Sequence, residues 1–251
     1  MVLLDELVTY LDGELKTASI PDYPGAMNGL QLANTGQICR IVAAVDASLR
    51  VIEAAASGGP GLLIVHHGIF WQGIQPITGP YFRKLKIAID AGLAIYSSHL
   101  PLDVHPMVGN NILLARAIGL QDAEPFLDCK GLSIGLCGSW LGSRQQLADS
   151  LTGVLGGPIH ICPGGPETIS RVGLITGGAG SEVAKVAAAG VDTFITGEGP
   201  HWSYPLAEEL GLNLFYGGHY ATETFGVKAI SAAVGSQFGI PCEFLHFPTG
   251  L

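Results

Sequence analysis

Two adjacent histidines at the end of an apolar run are the first residues in this 251-residue chain that could do chemistry. The run is Leu62-Leu-Ile-Val-His66-His67-Gly-Ile-Phe-Trp71, and imidazole is the commonest protein ligand for a transition metal. Taken alone, the pair reads equally well as a hydrogen-bonded structural dipeptide. Two further stretches add ligand types. His99-Leu-Pro-Leu-Asp103 and His219-Tyr-Ala-Thr-Glu223 each set an acid four residues after a histidine, and His with carboxylate suits Zn, Fe, Mn or Co. If a helix begins as early as His219, then His219 and Glu223 share a face at i,i+4 and can share an ion. Pro101 argues against a helix through His99, so Asp103 is expected on a loop, where a carboxylate can bridge two cations about 3.5–4 Å apart. As neighbours on a strand, His66 and His67 point to opposite faces. They would reach two ions, or turn together at Gly68, whose φ/ψ freedom permits it.

The elements that must position these groups follow from periodicity. Residues 2–16 place Leu3, Leu4, Leu7, Val8, Leu11 and Leu15 at helical spacing, and residues 19–37 form a Pro/Gly-rich loop with an extended piece at 29–32. Strand 38–46, helix 49–56 and strand 61–65 make a βαβ unit, which favours parallel pairing. A strand ending at the histidine pair is where function collects in open α/β sheets. A helix over about 81–90 and a strand over 93–97 come next. Asn111 is placed to cap a helix over 112–118. A second block begins near 126, with strand 131–141, helix 143–155 and strand 159–162.

Residues 169–202 then restate residues 38–71 without a gap at an offset of 131. Ile38, Arg40, Gly59, Ile64, Gly68 and Trp71 recur as Ile169, Arg171, Gly190, Ile195, Gly199 and Trp202. With one residue inserted, the stretch from Gly92 to Asp103 also lines up on that from Gly211 to Glu223. Internal self-similarity resets the expected fold. It becomes two similar α/β domains, with mixed sheets flanked by helices and a metal site in the cleft between them. Glu198 and His201, at a strand end in the second half, are candidates for proton transfer or substrate contact. Gly177-Gly-Ala-Gly180 looks like a phosphate loop before a helix. It lacks both G-x-G-x-x-G and a Walker lysine, so helix capping is the stronger reading.

Composition narrows the function. Apolar residues make up 48% and the mean hydropathy is +0.40, enough for a sizeable core. No window approaches a membrane span, and the first residues lack the basic and apolar regions of a signal peptide. Five scattered cysteines with no C-x-x-C spacing suit a reducing cytoplasm. With 12 Lys+Arg against 21 Asp+Glu the net charge is -9, which argues against nucleic acid as a partner. An anionic substrate would need metal ions to supply positive charge.

The Val-His-His-Gly-Ile-Phe-Trp, Ser-His-Leu-Pro-Leu-Asp and Gly-Gly-His-Tyr-Ala-Thr-Glu stretches, with Asn28-Gly-Leu-Gln near the start, closely resemble the dinuclear-metal-centre hexameric family related to NGG-interacting factor three. Its members are also described as type 2 homologues of GTP cyclohydrolase I. The resemblance implies that His66, His67, Asp103, His219 and Glu223 ligate two divalent ions, Zn, Fe, Mn or Co. It also implies a homohexamer without the extra domain that longer members carry. His99 is expected beside the ligands or against a substrate, making it with Glu198 and His201 a candidate catalytic group. Domain boundaries are expected at residues 1–125 plus 225–251 and at 126–224. The function that follows is a metal-dependent hydrolase of a nucleotide-like or phosphorylated small molecule. A non-catalytic metal carrier or regulatory module is the alternative.

Overall fold

A computed structural model describes residues 1–73 and 75–251, which fall into two compact units. The first comprises Met1–Leu102 and Gly226–Phe247, the second Asp103–Phe225 and Pro248–Leu251. Both are mixed α/β. The helix Asn110–Ala117, expected with the first domain, instead packs Leu114 and Ala115 into the core of the second unit, so the chain divides at 102 rather than 125.

In the first unit a five-stranded sheet runs in the order Cys242–Phe244, Ile41–Asp46, Gly61–His67, Leu93–Ser97 and Gly29–Leu32. Four strands are parallel, and Gly29–Leu32 closes the edge antiparallel. Strands of a sheet covered on both faces read as continuous aliphatic runs, and residues 41–45 and 61–66 are buried throughout. One face packs Val42, Ala44, Leu63, Val65, Leu93 and Ile95 against Val51, Ile52 and Ala55 of helix Leu49–Ala56 and Ala88 of helix Gly79–Asp90. From the other face Tyr96 hydrogen-bonds Asp12, on helix Leu4–Leu15, at 2.7 Å. That helix buries Leu7, Leu11 and Leu15, as its spacing predicts.

The second unit holds a six-stranded sheet in the order Gln121–Cys129, Leu132–Ser143, Thr168–Leu174, Thr193–Thr196, Asn213–Tyr216 and His160–Pro163. The three strands from Thr168 to Tyr216 are parallel to one another, and the outer ones are antiparallel to their neighbours. Leu147 and Leu151 of helix Arg144–Leu155 face this sheet, and Ser143 caps the helix in a capping box with Gln146.

Several local expectations change. The strand Gln121–Cys129 was not anticipated, because residues 121–125 are all exposed and Pro125 reads against a strand. Proline is tolerated there because the strand lies at the sheet edge. Asn111 does not cap its helix, whose N-cap is Gly109. Its side chain instead donates to the Ile134 carbonyl at 3.0 Å and accepts from the Thr176 amide at 2.9 Å, joining helix to sheet. Residues Leu100–Asp103 form one helical turn rather than a loop, with Pro101 near its start where a missing N–H costs nothing.

These contacts separate two costs. Asn111→Ala strands the buried Thr176 amide and is expected to destabilise the protein by about 1–3 kcal/mol. Ser143→Ala, which removes one cap in a more exposed setting, is expected to cost about 1 kcal/mol. Urea unfolding of the two variants, giving Asn111→Ala the lower midpoint, checks the order.

Candidate metal centre

Strand Gly61–His67 carries both histidines to its carboxyl end without a break, leaving His66 fully buried and His67 half-buried. Leu93–Ser97, the next parallel strand, delivers His99 just past its own end. One nitrogen from each of His66, His67 and His99 falls within a 4.8 Å group, and the His66 and His67 ring centroids are 4.7 Å apart. The pleat therefore does not hold the adjacent imidazoles apart: the ladder ends at the Asp46–His67 pair, and Asp46 holds the His67 ring at 2.9 Å. Gly68 is not the hinge: it has no positive φ. A Cβ at Gly68 would lie 2.2 Å from Gln31 Oε1, and it is Gln31 that accepts from the Ile69 amide at 2.7 Å and holds the strand end.

Each imidazole is oriented through Nδ1. His66 Nδ1 lies 2.9 Å from the Ser98 carbonyl, which can only accept, so this nitrogen carries the proton and the lone pair sits on Nε2. His67 Nδ1 is 2.9 Å from Asp46 Oδ1, and His99 Nδ1 is 2.9 Å from Asp22 Oδ1. This is the arrangement that fixes tautomer and ring direction in metal-binding histidines.

Asp22 and Asp46 were not singled out by sequence. Asp22 is a hub: it accepts from Asn28 Nδ2 at 2.8 Å, the Leu100 amide at 2.8 Å and the Tyr23 amide at 2.6 Å, while Asn28 Oδ1 accepts from the His99 amide at 2.7 Å. Burial favours its neutral form, but His99 and these donors outweigh it and hold its carboxyl below the usual range. The signal available was Asn28, already part of the recognised stretch near the start.

In the second unit, strand Asn213–Tyr216 ends in Gly217-Gly218, and Gly218 at φ +91° turns the chain into the short helix His219–Thr222. That helix starts at His219, so His219 Nε2 and Glu223 Oε2 meet at 3.1 Å across one turn. His219 Nδ1 is 2.8 Å from Glu198 Oε1, which places Glu198 as the group that orients this ring. Burial pulls the His219 pKa down, but Glu223 and Glu198 together outweigh it and push it up to about 9. Asp103 is buried, with Oδ1 accepting from Asn110 Nδ2 at 2.8 Å and Thr176 Oγ1 at 3.3 Å.

The glycine loop 177–180 is not a phosphate cradle. The Gly177 amide donates to Thr222 Oγ1, the Ala179 amide to Thr196 Oγ1 and the Gly180 amide to the Glu198 carbonyl, so these donors are already engaged. Glycine is needed there for room. At Gly177, φ +71°, a Cβ would lie 2.2 Å from Glu223 Oε1, and one at Gly178 would touch His219 at 3.5 Å. His201 has an exposed ring with no hydrogen bond among the described residues. His105 accepts from the Met107 and Val108 amides through Nδ1, a local turn contact.

The donors within each unit fit a transition metal: in the first, His66, His67 and His99 with Nδ1 held, and in the second His219 beside Glu223, a carboxylate nearly closed to solvent. An α/β protein with such groups at its strand ends carries a candidate metal site. A family model for Duf34/NIF3 (NGG1p interacting factor 3) matches residues 2–249, and the chain belongs to that family. It is 44% identical over 250 residues to a GTP cyclohydrolase 1 type 2 homolog of Deinococcus radiodurans, covering 98% of this chain and 94% of that one. The structure of TTHA1606 from Thermus thermophilus superposes with a TM-score of 0.90 at 38% identity, covering 100% of both chains. Protein ybgI, described as of unknown function, gives 0.93 at 33% identity, again with 100% of each chain covered.

The His219 shift has a signed consequence. A pKa raised to about 9 from an unfolded value of 6.5 means that proton adds stability fully below 6.5 and is lost as pH rises through about 9. In metal-free protein the His219 imidazole is expected to titrate near 9 by NMR, and Glu198→Gln is expected to lower that midpoint while leaving a raised value, because Glu223 remains.

Proposed function

We propose that this protein is a dinuclear metal enzyme, a hydrolase of a nucleotide-like or otherwise phosphorylated small molecule, with His66, His67, Asp103, His219 and Glu223 as ligands of two divalent ions. Family membership supports the ligand set. The observation that carries the reading is the anchoring of those groups. His66, His67 and His219 are each held at Nδ1 by a carbonyl or carboxylate, and Asp103 at Oδ1 by Asn110 and Thr176. Structural histidines have no need of so uniform a presentation of Nε2.

When bound, a metal pair supplies a water ionised near pH ~7 and positive charge for the developing oxyanion. The chain's own groups set the geometry. Ser98, Asp46 and Glu198 hold the ring protons of the three ligand histidines, and Asp22 holds His99 beside His66 and His67, where it can contact substrate. Glu198 is a positioning residue for His219, and the exposed His201, on the segment after strand Thr193–Thr196, is a substrate contact in this reading. The description of the curated relatives makes GTP the first substrate to assay, with water opening the purine ring. A homohexamer in the cytoplasm completes the reading, on the family resemblance.

One observation favours a second reading. His66, His67 and His99 gather within 4.8 Å in the first unit alone, and three imidazoles can hold an ion for storage or delivery. Metal analysis of purified protein, followed by assay against GTP and generic phosphoesters, decides between the two. Turnover lost in Glu223→Ala and kept in His246→Ala is the outcome expected of the enzyme. Metal-loaded protein inert to every substrate would leave the carrier, and protein that takes up no divalent ion would end both.

Proton and metal compete for His219, so affinity is expected to rise with pH until about 9. A chelator-competition titration across that range checks it; a flat profile would remove His219 from the ligand set.

A further inference from the structure

Beside the three imidazoles of the first unit lie two aromatic rings that neither the core nor the metal reading uses. Trp71 remains 42% exposed and Tyr23 59% exposed. They stand close to two of the histidines: the Trp71 ring centroid is 4.7 Å from His99, edge to face, and 5.5 Å from His67, while Tyr23 is 6.0 Å from His99 and 6.4 Å from Trp71, to which it stands at 73°.

Both rings are carried on tied-down segments. Trp71 lies in a turn closed by the Gly73 amide on the Phe70 carbonyl at 2.8 Å, and a Cβ at Gly25 would come within 2.8 Å of the Trp71 carbonyl, so the two segments pack backbone to backbone. Tyr23 is fixed at its amide by Asp22 and at its carbonyl by the Ala26 amide at 3.0 Å. A large ring held in place yet left open to water forgoes burial that a side chain of its size ordinarily gains.

We infer that Trp71 offers a stacking face for a planar heteroaromatic ring of the nucleobase class, beside the imidazoles of His67 and His99, with Tyr23, whose ring stands at 73° to it, as the side wall that such a ring would meet edge-on. The inference deepens the proposed function and rests on it for the existence of a small-molecule substrate. Charge leaves an uncharged ring as the part that these two side chains recognise. Tyr23 and Trp71 carry no cation for a phosphate, the neighbouring side chains Asp22 and Asp46 are acids, and a phosphate on the same molecule would fall to the metal ions of the proposed function instead. Every nucleobase has an uncharged π face, and stacking on Trp or Tyr tolerates changes of base.

Equilibrium dialysis of the full-length protein with guanosine, and separately with ribose 5-phosphate, tests this, with tryptophan fluorescence followed in parallel. Guanosine is expected to bind and to quench fluorescence, Trp71→Ala to weaken it about tenfold or more, and Trp71→Phe to stay within about threefold of the parent. Tyr23→Ala is expected to weaken guanosine as well, so that misfolding of any one variant does not decide the result. Ribose 5-phosphate affinity and zinc uptake are expected to be the same in all four proteins. The inference is overturned if guanosine fails to bind, if Trp71→Ala leaves its affinity unchanged, or if Trp71→Ala weakens ribose 5-phosphate as much as guanosine. A change of oligomeric state in Trp71→Ala with guanosine affinity intact also overturns it, making the rings a subunit contact. Wild-type protein that binds guanosine and takes up no divalent ion, Zn, Fe, Mn or Co, would sink the metal reading and leave this one standing.

Discussion

The site depends on where the imidazole protons are. A neutral histidine has one donor nitrogen and one acceptor, and which is which is settled by whatever the first nitrogen meets. In this protein the Nδ1 partners are the Ser98 carbonyl, Asp46, Asp22 and Glu198, each within 3 Å. Every one is an acceptor, so every Nδ1 is a donor. Nε2 is thereby left on each ring as the position that takes a metal or a second proton, and the rings lose the freedom to rotate away. The fold serves this arrangement: parallel strands end in register, and the residues at or just beyond those ends supply the rings and, apart from Asp22, the groups that hold them.

A second constraint is steric. Carboxylates nearly closed to solvent need space as well as partners, and backbone close by would ordinarily fill it with a side chain. Gly177 leaves that space for Glu223, and Gly68 does the same for Gln31, which in turn holds the end of the histidine strand. Gly68 makes the point most directly, because its φ is not positive and any L-residue could adopt its backbone. It is glycine because of what lies against it, which is a requirement on neighbours rather than on the chain's own torsions.

This explains which parts of the site could be read from residues alone. Strands 61–67 and 93–97, helix 49–56 and the helical spacing of His219 and Glu223 are set by local pattern, and local pattern is visible in sequence. Glu198 stood out as a titratable group at a strand end, but its role as the partner of His219 depends on a contact 21 residues away. Asp22 and Asp46 carry no distinctive spacing; they matter because of contacts 77 and 21 residues distant, and such pairings are a property of the folded sheet. The glycine loop, which sequence reads as helix capping more than as a phosphate loop, depends on distant contacts in the same way. A run of glycines before a helix signals open amides, and only the folded arrangement shows those amides engaged by Thr222, Thr196 and the Glu198 carbonyl. The edge strand Gln121–Cys129 escaped because residues 121–125 all face water and show no alternation.

Charge gives the last step. Glu223 is only 2% exposed, and a carboxylate so deeply buried is costly unless a cation faces it. His219 supplies one when it holds its second proton, which is why Glu223 and Glu198 overcome burial and keep that proton bound to about 9. A metal ion coordinated through His219 Nε2 would satisfy the same carboxylate by a different route, displacing the proton it replaces. The pair is therefore built around a positive charge, and a buried acid that needs a cation is a fixture of the fold whatever supplies that charge. Removing the acid would spare the burial cost and leave His219 without its nearer partner.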